Sequence, residues 1–97
     1  MEPLSITQVN EYLKRLFEWG LEDNGKAIAK IFEFKDFTGA MEFVNEVAVI
    51  AEQEKHHPEM LIYENKVEIK LTTNSAQALT EKDFKVAEEI DSINANN

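Results

Sequence analysis

Residues 66–73 read Lys66-Val67-Glu68-Ile69-Lys70-Leu71-Thr72-Thr73, an alternation of apolar and charged side chains. Successive side chains of an extended chain point to opposite faces, so Val67, Ile69 and Leu71 share one face while Glu68 and Lys70 share the other. This pattern predicts a strand buried on one side only, which needs neighbours at its edges and a layer over its apolar face. Upstream, Met60 to Glu64 (MLIYE) reads as a second strand, with Asn65 in the turn between them. Farther back, Asn24-Gly25 is a strong hairpin signal because both residues accept positive φ. It joins a short segment at residues 18–23 to the Ile- and Phe-rich strand at residues 26–34.

Three helices fall between and around these hairpins. Ser5-Ile6-Thr7-Gln8 fits a capping box, a hydroxyl with a glutamine three residues on. Val9, Tyr12, Leu13, Leu16 and Phe17 then follow helical spacing, and Trp19-Gly20 is expected to end the helix. Trp19 itself is read as core. Asp36 can cap a second helix whose apolar face comprises Phe37, Ala40, Met41, Val44, Val47, Ala48 and Ala51. This helix must stop before Pro58, which forces the residue preceding it out of helical geometry. Thr80-Glu81-Lys82-Asp83 caps a third helix carrying Phe84, Ala87 and Ile90, and residues 92–97 are expected to fray. The order α-ββ-α-ββ-α predicts a single α+β domain over residues 1–97. It has two layers, a four-stranded antiparallel sheet with helices on one face. The other face and the sheet edges are left to solvent or a second subunit.

Composition narrows the function. The chain of 97 residues carries 19 acidic and 10 basic residues, a formal charge of −9. With no Lys/Arg cluster, such a surface repels phosphate backbones and argues against direct nucleic-acid binding. No apolar run is long enough to span a membrane, and residues 1–10 (MEPLSITQVN) lack a basic region followed by an apolar one, so no secretory signal is expected. Without cysteine there is no disulfide, thiolate metal site or thiol nucleophile, and a cytoplasmic location is the expectation.

Both histidines stand together in Glu54-Lys55-His56-His57-Pro58-Glu59-Met60. Histidine exchanges protons near neutrality, which makes the pair the one strong candidate for proton transfer. His56 falls at the end of the second helix, where the dipole favours an imidazolium. Pro58 holds His57 extended, so the two rings leave the backbone in different directions. Adjacent histidines lack the spacing of a helical zinc site, and a third ligand could only be a carboxylate, so no metal is expected. The competing view is that both are polar loop residues after a helix. Glu52 alone would pass for solvated surface, and Asp83 for a capping residue.

A wider pattern goes further. Phe32 to Phe37 (FEFKDF), His56-His57-Pro58, residues 65–73 (NKVEIKLTT) and Leu79 to Asp83 (LTEKD) occur in an order and spacing that resembles the pterin-4a-carbinolamine dehydratases, from about Trp19 to Asp91. The resemblance implies an α+β homodimer or homotetramer that removes water from 4a-hydroxytetrahydropterin without metal or organic cofactor, serving tetrahydrobiopterin recycling. It implies His56 as acid/base, His57 as a binding and polarising group, and Asp83 as the acidic residue completing the motif. It places Glu52, Thr72 and Thr73 around the pterin, together with Lys55, Met60 and Asn74, three positions at which this chain departs from the family. Lys55 replaces a frequent acid, Met60 an aromatic, and Asn74 the family's third histidine. Glu64 replaces the usual tyrosine before the NKV segment. An asparagine can bind substrate but not shuttle protons. The resemblance therefore implies a weakened dehydratase or, alternatively, a non-catalytic pterin-binding or dimerisation module of the same fold.

Overall fold

The computed structural model describes residues 1–95. Eight elements follow in order: α1 (Ile6–Leu13), β1 (Gly20–Glu22), a single 3-10 turn (Asp23–Gly25), β2 (Ala27–Glu33), α2 (Phe37–Glu54), β3 (Glu59–Tyr63), β4 (Lys66–Leu71) and α3 (Glu81–Ala95). The four strands form one antiparallel sheet in the order β1-β2-β4-β3. Helices cover one face, as the alternation in β4 requires.

Register explains the layering. On the covered face Ile28 pairs with Leu71 and Phe32 with Val67, while Ile69 lies between Lys30 and Met60. All five apolar residues of β2 and β4 in these rows are buried. They meet Ala40, Phe43, Val44 and Val47 of α2, and Phe84, Val86, Ala87 and Ile90 of α3. Phe43 stands between Phe32 and Phe34, with ring centroids 4.7 and 4.9 Å away. The open face carries Ile31, Leu61 and Tyr63, each more than 60% exposed. Among the described residues no helix is long and apolar enough to cross a membrane.

Local chemistry sets the boundaries. Ser5 and Gln8 make both halves of the capping box. The Asp36 carboxylate accepts the Gly39 N–H at 2.8 Å and starts α2. Asp23, Asn24 and Gly25 all take positive φ, so the hairpin turn falls where Asn24-Gly25 predicted it. Lys55, left-handed at φ 53°, closes α2: its N–H bonds to Glu52 O and that of His56 to Ala51 O. These two bonds are a Schellman ending, three residues short of Pro58.

Several expectations need correction. Helix α1 ends at Leu13 rather than near Trp19. Glu18 turns the chain with φ 65°, leaving Phe17 exposed while Trp19 enters the core from a loop. On α2, Phe37 and Ala48 face outward and Phe43 lies inward, because the buried stripe runs Ala40, Phe43, Val44, Val47, Ala51. Strand β4 stops at Leu71, short of Thr72 and Thr73. Helix α3 continues through residues 92–95, where fraying was expected, and residues 96–97 lie outside the described part.

One buried polar cluster had no sequence signal. Lys30, on the covered face of β2, donates to Asp91 Oδ1 at 2.9 Å, and Trp19 Nε1 donates to Asp91 Oδ2 at 3.0 Å. The Lys30 ammonium also lies 4.8 Å from the Phe32 ring centroid. A buried ammonium needs such a partner, and the cluster fastens α3 to the sheet.

Candidate active site at the junction of two helices

The C-terminus of α2 and the N-terminus of α3 converge beside the end of β4. Helix dipoles assign the charges there: a cation is favoured where α2 ends, an anion where α3 begins. The side chains follow that assignment. His56, just past the end of α2, places Nε2 2.6 Å from Asp83 Oδ1 in the first turn of α3. The His56 side chain is 12% exposed and that of Asp83 fully buried.

The second Asp83 oxygen is also engaged. Oδ2 accepts from the Thr73 hydroxyl at 2.7 Å and from the Thr80 backbone N–H at 2.9 Å. The Thr80 hydroxyl lies 2.7 Å from that of Thr73. Opposite an ionised Asp83, which can only accept, His56 Nε2 carries the hydrogen of this contact. Its Nδ1 has no hydrogen-bond partner among the described residues.

His57 turns elsewhere. Its Nε2 lies 2.6 Å from Glu52 Oε2, back along α2, and both side chains are well exposed. The two rings thus engage different carboxylates instead of converging on one point. Thr72 donates its hydroxyl to Lys26 O at 2.6 Å. Asn74 is exposed in the turn after β4, its amide without a partner among the described residues. Lys55 is exposed at the helix ending, and Met60 is half-buried against the core. The sequence-predicted residues therefore divide: His56, Asp83 and Thr73 form one bonded chain, His57 and Glu52 a second pair. Among the described residues, the side chains of Lys55, Met60, Thr72 and Asn74 hydrogen-bond to neither. Thr80 joins the first chain; the sequence marked it only as the start of α3 and as part of the LTEKD segment, with no role at the site.

Next to this chain lies a second ionisable group. Glu54 Oε1 receives Lys82 and Lys85, each at 3.3 Å. The Glu54 carboxyl is held below its ordinary pKa first by the neighbouring Glu89 carboxyl, against the opposing effect of burial, with Lys82 and Lys85 adding smaller contributions to the lowering. Glu89 is pushed up, by burial first and then by Glu54. Its Oε1 is buried with no partner in the described structure. Two ionised carboxylates can only accept, so the Glu54–Glu89 contact becomes a bond when one carries a proton, and that proton belongs on Glu89.

Two hollows lie away from the histidines. One of about 340 Å³ is lined by Tyr12, Glu81, Lys82, Phe84, Lys85 and Glu88, with Met1 at its edge. Another of about 360 Å³ lies on the open sheet face around Gly20 and Ala29. Neither includes His56, His57 or Asn74.

Residues 2–93 match the family model described as pterin 4 alpha carbinolamine dehydratase. The chain belongs to that family. Among its relatives is a candidate pterin-4-alpha-carbinolamine dehydratase of Chloroflexus aggregans, 43% identical over 96% of this chain and 98% of the relative. One of the same description from Sinorhizobium medicae is 42% identical over 93% of this chain and 86% of the relative. A crystal structure of a transcriptional coactivator/pterin dehydratase from Brucella melitensis superposes with a TM-score of 0.90. It is 37% identical, covering 94% of this chain and 97% of that one. A pterin dehydratase-like protein identified as a RuBisCO assembly factor in the alpha-carboxysome shares the fold, with a TM-score of 0.67 at 19% identity over 78% of this chain and 88% of that one. The pterin-dehydratase fold thus includes proteins described by more than one role.

Proposed function

We propose that this chain dehydrates a 4a-hydroxytetrahydropterin to the quinonoid dihydropterin, with His56 as the group that moves protons. The observation that supports this most is the 2.6 Å contact between His56 Nε2 and the buried Asp83, which leaves Nδ1 unengaged. The overall change breaks the C4a–O bond and the N5–H bond, forms C4a=N5, and releases one water. One imidazole can serve both halves in turn. As imidazolium, Nδ1–H gives its proton to the departing 4a-hydroxyl while the N5 lone pair forms the double bond. The ring, now neutral at Nδ1, then takes the N5 proton and is restored. Asp83 stabilises the imidazolium through Nε2–H in the first state.

His57, polarised by Glu52, binds and orients the pterin in this reading, and Asn74 supplies an amide donor and acceptor at the rim. Thr72 and Lys55 complete the binding surface through the backbone and a cation, and Met60 by thioether packing. No cofactor is part of the reaction. A homodimer or homotetramer in the cytoplasm belongs to the same proposal, supported by the uncovered Ile31 and Leu61 on the sheet.

Stopped-flow absorbance with freshly generated 4a-hydroxytetrahydropterin tests it. Acceleration by the wild type that His56→Ala abolishes is expected. Equal and uncatalysed rates for both proteins would end the catalytic reading. Asn74 supports a second reading, a pterin-binding or dimerisation module without catalysis, because its amide cannot replace an imidazole in proton transfer. Ligand-detected NMR with reduced and oxidised pterins separates the two. In Asn74→His, a rate gain of about tenfold or more is expected if the remaining pocket is competent.

A further inference from the structure

The hydroxyl of Thr73 has one hydrogen and two neighbours, Asp83 Oδ2 and Thr80 Oγ1, both at 2.7 Å. Asp83 Oδ2 only accepts, so that hydrogen goes to the carboxylate. The Thr80 hydroxyl must then donate to Thr73. The direction of the whole chain follows: Thr80 O–H to Thr73, Thr73 O–H to Asp83, and His56 Nε2–H to the other Asp83 oxygen. Thr73 and Thr80 are both buried, at 7% and 0% exposure.

An ordinary capping role does not account for this. A capping threonine accepts the N–H three residues on with its side chain. Here the Asp83 N–H goes instead to the Thr80 backbone oxygen at 3.2 Å. The Thr80 hydroxyl is directed to Thr73. Nor is the Thr73 hydroxyl free for a substrate, since its hydrogen is committed and its side chain is out of solvent.

We propose that Thr73 and Thr80 are positioning residues that commit Asp83 to His56 Nε2 and so make Nδ1 the atom that exchanges protons with the pterin. The proposal deepens the dehydratase reading and rests on it for the identity of the substrate. With Oδ2 occupied by two donors, the carboxylate plane is fixed and Oδ1 alone faces the ring. Without the Thr73 hydroxyl the carboxylate can turn, and the imidazole loses its enforced tautomer.

Two measurements test this, one without substrate. In 15N-labelled protein free of pterin, long-range imidazole correlation spectra should show His56 as the Nε2–H tautomer, with its Hε2 protected from solvent. Thr73→Val should speed Hε2 exchange about five- to tenfold, the weight of one hydrogen bond. Thr73→Ser should restore it, and Thr80→Val, which spares the direct Thr73–Asp83 bond, should give a smaller increase. In the dehydration assay Thr73→Val should lower kcat by about the same factor with KM within about twofold. Hε2 exchange in Thr73→Val equal to wild type overturns the proposal, as does a raised KM with kcat unchanged, which would put Thr73 in contact with substrate. If Thr73→Val does not fold, the ordering of Thr80→Val against Thr73→Ser decides. Should wild type fail to accelerate dehydration while the exchange pattern holds, the substrate reading falls and the positioning chain stands.

Discussion

Replacing Asp83 by asparagine separates the architectural work of this residue from its chemical work. The asparagine carbonyl can still accept from Thr73 and from the Thr80 N–H, the two bonds now made to Oδ2. The joint between α3 and the end of β4 is retained, and a stability loss of about 1–2 kcal/mol is expected from exchanging charge-assisted bonds for neutral ones. Asp83→Ala would instead strand both donors in a buried site, at about 1–3 kcal/mol each. That is a large share of the roughly 5–15 kcal/mol that holds a domain together. At His56 the outcome reverses. The asparagine NH2 faces Nε2, which must accept, and the ring hydrogen moves to Nδ1. A neutral ring with Nδ1–H cannot take the N5 proton, so kcat should fall about 10²-fold or more, the range of general acid–base contributions. KM should change little, because Asp83 has no solvent exposure through which to meet substrate. Urea unfolding gives the first number and stopped-flow dehydration the second. A folded Asp83→Asn protein with wild-type kcat would show that the His56–Asp83 contact has no part in catalysis.

Two further outcomes follow from groups outside the His56–Asp83 chain. Glu89 has a raised folded-state pKa, so the stability it contributes is present below the unfolded carboxylate value and is lost as pH rises through the folded one. Glu54, lowered, works in the opposite sense, and its contribution is lost as pH falls. Glu89→Gln keeps the bond to Glu54 without needing a proton, so its melting temperature should exceed that of wild type by more at pH 8 than at pH 5. An equal difference at both values, measured by thermal melts, would mean that Glu89 is ionised in the fold. Asp91→Ala should destabilise by about 3–5 kcal/mol in urea titration, since it leaves the buried Lys30 ammonium uncompensated; a loss below 1 kcal/mol would place Lys30 in water.

Much of the architecture was readable because local signals agreed with one another. The Ser5 and Asp36 caps, the Asn24-Gly25 turn and the alternation from Val67 to Leu71 each depend on a few neighbouring residues, and each falls where those residues require. The misreadings arise where a distant partner decides. Leu16 and Phe17 continue the spacing of α1, yet the chain leaves the helix so that Trp19 can reach Asp91, 72 residues away. Phe43 could not be separated from Phe37 by composition, because which side of an apolar helix meets the sheet depends on the sheet. At the candidate site, His56 and His57 were visible as a pair, but their division between Asp83 and Glu52 was not. Thr80 looked like a helix cap because its link to Thr73 crosses a turn that carries no pattern of its own.

The bonded chain from Thr80 to His56 ties three segments at a single point, so the same atoms that would orient a reacting ring also hold the molecule shut. A descendant that lost all catalysis would still be stabilised by Asp83 and its two threonines. Finding those residues in a sister sequence is therefore poor evidence of an enzyme. On the proposed reading, the exposed positions 57 and 74 are where inheritance of the chemistry can be told from inheritance of the shape.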